Sequence, residues 1–100
     1  MTQAEILDGR IGTIANYTAP TYPNGQGSPA HLEFGMRTSL GENGVFYIDL
    51  TQIDGALLAG LVLTAHARQL PVEIVFTTPA PLGPIKPKDP GGFVRGVRVG

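Results

Sequence analysis

Between residues 31 and 50 the chain alternates apolar and polar side chains with a period of two. Leu32, Phe34, Met36 and Leu40 fall on one side and His31, Glu33, Arg37 and Ser39 on the other, with Thr38 the one polar residue on the apolar side. That pattern predicts a half-buried strand over 31–40. Gly41-Glu42-Asn43-Gly44 supplies turn chemistry, and Phe46, Ile48 and Leu50 then alternate against Val45, Tyr47 and Asp49, so a second strand over 45–50 closes a hairpin. Three more strands follow from the same reading. Residues 9–18 (GRIGTIANYT) space Ile11 and Ile14 unevenly around Gly12, which predicts a bulge or bend. Residues 71–77 alternate Val72, Ile74 and Phe76 against Glu73 and Val75, and 93–99 (FVRGVRV) reads as a closing strand with Gly96 inside it.

The period changes to helical over 55–69 (GALLAGLVLTAHARQ), with Asp54 as a candidate N-cap and Pro71 as a stop. Leu57, Leu58, Leu61, Val62 and Ala65 form the expected core stripe, while Ala56, Ala59, Gly60, Leu63 and Ala67 make the opposite face small and apolar as well. A helix apolar on both sides is normally covered on both sides. In a short chain the second cover comes from another subunit, which marks Ala59, Gly60, Leu63, His66 and Ala67 as interface candidates. The alternative is that a long loop folds over the helix.

Two such loops exist. Of the nine prolines, Pro20, Pro23 and Pro29 lie within 18–30 (TAPTYPNGQGSPA), and Pro79, Pro81, Pro84, Pro87 and Pro90 lie within 78–92 (TPAPLGPIKPKDPGG). Neither segment sustains a helix or an interior strand. One hundred residues with 42% hydrophobic and 15% charged side chains make a single folded domain over 1–100. Three strands, a helix and two strands is the order of the OB-fold, a five-stranded Greek-key barrel with its helix between strands three and four. The expected class is therefore all-β with one helix. On that reading the two proline-rich segments are the loops with which such barrels bind oligonucleotides or oligosaccharides.

A net charge of −1 removes the long-range attraction to phosphate, so nucleic acid is not an expected partner. No cysteine is present, which excludes disulfides, thiolate nucleophiles and Cys-based zinc sites. The start lacks a basic end followed by an apolar run, and the apolar stretch 56–67 is too short and too rich in Ala and Gly for a bilayer span. A soluble chain without membrane insertion is expected, cytoplasmic as written.

The runs FYIDL, ALLAGLVLTAHARQLPVEIVF and VRGVRVG, together with GRIGTI near the start, resemble the pentameric B subunits of bacterial AB5 toxins, in particular the subtilase-cytotoxin and pertussis-like branch. The resemblance implies an OB-fold, a ring of five copies with their helices around a central pore, glycan binding and secretion. Two departures stand against it: the chain has neither the usual cysteine pair nor a signal sequence. No sugar-binding motif of that family matches position by position, so no site residue is transferred from it.

No catalytic constellation is visible, and an enzyme is not expected. His31 and His66 are the only histidines and fall on different elements, no Ser sits in a Gly-x-Ser-x-Gly setting, and no phosphate loop is spelled out. Asp49 and Asp54 read as strand end and helix cap rather than as paired carboxylates. Nothing calls for a cofactor or metal. Binding is better provided for. Tyr17 and Tyr22 flank the first long loop with Asn16, Asn24 and Gln26 close by, offering the flat apolar faces and directional amide groups that sugars require. Lys86 on the second loop and Arg37, set beside Glu33 and Tyr47 on the outward face of the hairpin, add positive charge. The expectation is a ring-forming, non-enzymatic module for glycans or similar small polar ligands. Its rival is a structural ring component, as in a phage or secretion apparatus, whose loops touch protein partners; a single-stranded nucleic-acid domain ranks third.

Overall fold

A computed structural model describes residues 4–17, 30–78 and 91–100. Five strands, β1 (Ala4–Tyr17), β2 (His31–Thr38), β3 (Asn43–Asp49), β4 (Val72–Thr77) and β5 (Gly91–Val99), close into a barrel in the order β1-β2-β3-β5-β4, with the single helix α1 (Gly55–Arg68) between β3 and β4. All neighbours run antiparallel except β3 and β5, which pair in parallel over three residues, Val45 to Tyr47.

Closure depends on β1, which is longer than its hydropathy pattern suggests. Its first half, Ala4–Gly9, pairs with β4, and its second half, from Gly9 to Tyr17, pairs with β2. The strand changes partner at Gly9, where a Cβ would stand 2.1 Å from the Arg37 carbonyl oxygen. Only a residue without a side chain permits that approach. The expected irregularity at Gly12 is present as a register shift between Ile11 and Thr13.

The core fills the barrel. Phe34, Phe46, Ile48, Ile74 and Val62 are fully buried, Phe34 and Phe46 stack at 5.5 Å between ring centroids, and Phe76 meets Phe46 edge-on at 5.0 Å. Leu40, assigned by its period to the apolar face of β2, lies past the strand end in the turn and is 77% exposed. Thr38 does face inward; its hydroxyl accepts the Glu42 N–H at 3.1 Å, which satisfies the buried oxygen at the hairpin turn.

The helix is rotated relative to the expected stripe. Gly55, Leu58, Ala59, Val62 and Ala65 are buried, whereas Leu57 and Leu61 are 70% and 40% exposed. Ala59, expected on the outer face, is thus a core residue. A sequence apolar all round does not single out one face; close approach does. The Gly55 Cβ position lies 2.6 Å from the Asp49 carbonyl oxygen, so the helix starts hard against the end of β3, and Ala59 and Ala65 keep the spacing small farther along. Asp54 occupies the N-cap position without a capping side-chain hydrogen bond. Asp49 orders the preceding turn instead, its Oδ1 accepting the Thr51 N–H at 2.8 Å and the Thr51 hydroxyl at 2.5 Å.

Candidate functional site

The register converts the outward face of β1, β2 and β3 into a grid. Because Ile11, Leu32, Phe34, Met36, Phe46 and Ile48 point into the core, their alternate neighbours point out. Cross-strand rows on that face read His31 and Asp49; then Ala15, Glu33, Tyr47 and, on β5, Phe93; then Thr13, Gly35 and Val45; and last Arg10, Arg37 and Asn43. Each row has its own chemistry.

The first two rows are aromatic. Tyr47 and Phe93 are buried although they lie outside the barrel, with ring centroids 5.9 Å apart, and Val45 packs against them. His31 is fully buried too, its ring 5.9 Å from that of Tyr47. The sequence places His31 and Tyr47 on the polar side of their strands, and the side is right, but neither is exposed to solvent. The pairs Tyr17/His31 and Thr77/Phe93 also mark where the chain passes into segments 18–29 and 79–90. Tyr22, Asn24, Gln26 and Lys86 lie in those segments, outside the described residues.

Beside the third row, Gly12 at the register shift leaves open space above the strand, and at Gly35 the place of a side chain is taken by the Thr13 hydroxyl. A groove of about 270 Å³ runs over them, bounded by Thr13, Val45, Asn43 and Arg37. The Thr13 hydroxyl leans over Gly35 and accepts its N–H at 3.2 Å. The fourth row is cationic. Arg10 and Arg37 stand opposite each other, and a second cleft of about 320 Å³ opens beside them, lined by Asp8, Thr38, Ser39 and Pro71. The two concavities meet at Arg37. Asp8 and Ser39 are joined twice, by the Ser39 hydroxyl to Asp8 Oδ1 at 2.7 Å and by the Ser39 N–H to the Asp8 carbonyl at 2.9 Å.

Several expectations change with this map. Arg37 is four residues from Glu33 along β2, roughly 13 Å, and its row neighbours are Arg10 and Asn43. Asn16 and Tyr17 pair with Leu32 and His31 at the far end of the same ladder, so the fold does not bring them to Arg37; Asn16 is exposed there. Of the interface candidates, Gly60, Leu63 and Ala67 are exposed, Ala59 is buried, and His66 is half-buried, its Nδ1–H donating to the Ile11 carbonyl at 3.3 Å. His66 therefore turns back to β1 rather than outward. Arg10, Thr13, Gly35, Ser39 and Asn43 were not candidates from the sequence. Their only signal is their register, and register is set by which strand pairs with which.

Among the described residues no three His, Asp or Glu side chains gather as metal ligands, and no helix is long and apolar enough to cross a membrane. Comparison with protein-family models, curated proteins and solved structures gives no match.

Proposed function

We propose that this chain is a non-enzymatic binding module of the OB type, which assembles into a ring, with five subunits favoured, and takes glycans or similar small polar ligands on the outward face of β1, β2 and β3. A closed five-stranded barrel with one helix between β3 and β4 supports the OB reading, and in such barrels the face of strands two and three is a binding surface. The observation that carries the proposal is the groove floored by Gly12 and Gly35. The open space over Gly12 lets a flat ring approach the backbone there, Val45 offers an apolar wall, and Thr13, Asn43 and Arg37 offer directional hydrogen bonds, which is the mixture a sugar needs.

The ring part of the proposal draws on α1. Leu57, Leu61 and Leu63 are 70%, 40% and 48% exposed, and with Ala56, Gly60 and Ala67 they form an apolar helix face that subunit contact would cover. Several weak sites on one ring would then act together. The test is light scattering of the purified chain combined with a printed glycan array, repeated with Gly12→Leu. A mass near five subunits and array binding that the substitution abolishes are expected. A stable ring that ignores every glycan identifies a structural ring component instead, and a monomer without glycan binding overturns the proposal.

A further inference from the structure

Arg10 and Arg37 are directly opposite in the β1/β2 ladder, and their chain neighbours Ile11 and Met36 are core residues, so both guanidinium groups project from the same outward face. Cβ atoms of such pairs are about 4.5–5.5 Å apart, and like charges in that position repel. Among the described residues neither arginine has an ion pair that relieves the repulsion. Asp8 lines the same cleft, yet its Oδ1 accepts the Ser39 hydroxyl.

The two arginines are held differently. Arg10 donates from Nη1 to the Gln69 carbonyl, and Gln69 ends α1 in the left-handed conformation, with φ 55°. One guanidinium is therefore anchored to the helix end with most of its donors unused, since arginine carries five. The Arg37 side chain is exposed and makes no hydrogen bond among the described residues, and it borders both the cleft and the glycine-floored groove. A pre-positioned cation and an adaptable one lining the same cleft of about 320 Å³ are suited to two-sided capture of a planar or tetrahedral oxyanion.

We propose that Arg10 and Arg37 form an oxyanion site, which takes a carboxylate, sulfate or phosphate group of a ligand whose polar body lies along the groove over Gly35. This rests on the binding-face reading above and names the charge class of its ligand. An anion between the arginines removes their repulsion, and Asp8 stands ready to accept a ligand hydroxyl.

The experiment is a titration of isotope-labelled protein, followed by amide and Arg Nε resonances, at ionic strength held constant with sodium chloride. The probes are glucuronate, glucose, sulfate and inorganic phosphate. Saturable shifts at Arg10, Arg37 and Ser39 with glucuronate or with the inorganic anions are expected, together with at least a tenfold loss of affinity in Arg37→Gln and none in Arg98→Gln, an exposed arginine on β5. Anions that move the arginines while glucuronate does not assign the site to sulfate or phosphate esters. Shifts that chloride alone reproduces, or undiminished binding by Arg37→Gln, overturn the oxyanion site. Arginine shifts without movement at Gly12 and Gly35 keep it and remove the groove reading, whereas glucose moving Gly12 and Gly35 with both arginines silent does the reverse.

Discussion

Gly9 and Gly12 are three residues apart on one strand and do opposite things. At Gly9 a side chain would collide with the β2 backbone, and at Gly12 a Cβ would meet nothing within 4 Å. Gly9→Ala must push β1 off Arg37 or Thr38 and is expected to lose about 1–3 kcal/mol or more, as overpacking does. Gly12→Ala, by contrast, is expected to gain roughly 0.4–1 kcal/mol by restricting the unfolded chain. Urea unfolding midpoints of the two variants check the contrast; equal effects would mean that β1 does not change partner at Gly9. At the centre of the core, Phe46 touches Phe34 and Phe76. Phe46→Ala is expected to cost about 3–5 kcal/mol because the barrel cannot collapse into the space left behind, measured by the same unfolding transition.

Among the elements, the β3–α1 connection shows a local rule moving by a few positions. Asp54 has the sequence features of an N-cap, but the ordered carboxylate is Asp49, bonded to Thr51. Asp49→Ala is expected to destabilise by about 1 kcal/mol, the usual net value of such hydrogen bonds, and Asp54→Ala by less, in thermal unfolding followed by circular dichroism. The strands are legible in the sequence because apolar side chains alternate along them: Phe34 and Met36 against Glu33 and Arg37 leave no doubt about the period. The helix extent was legible for a similar reason, bounded by Gly55 and Pro71. Its orientation was not. Leu57 and Ala59 have comparable hydropathy to Leu58 and Ala65, and the choice among them followed from how near Gly55 brings the first turn to β3.

For the whole molecule, the decisive surface is the exposed helix face. Leu63 is 48% exposed and has no part in the core cluster, so Leu63→Asp should fold as the wild type does. In the proposed ring the same change introduces a charge into an apolar contact, and light scattering is expected to show the mass falling toward that of one 10.5 kDa chain. A ring of unchanged mass would place the contact elsewhere. A change in secondary structure on Leu63→Asp would instead mean that this face is needed within the single chain.

The periodicity of the sequence by itself determined five strands, one helix and a core built on Phe34, Phe46, Ile48, Ile74 and Phe76, because burial of alternate side chains is a local property of a strand with one wet face. It also singled out Arg37 as a polar residue on an outward face. It did not reveal that Arg10 stands beside Arg37, that Gly12 and Gly35 floor one groove, or that Asn16 lies at the opposite end of the ladder from Arg37. Those are relations between residues distant in the chain, fixed by the β1 crossing at Gly9 and by the register of the β1/β2 ladder. Only closing the barrel decides them, since a shift of one residue would turn every one of these side chains to the other face.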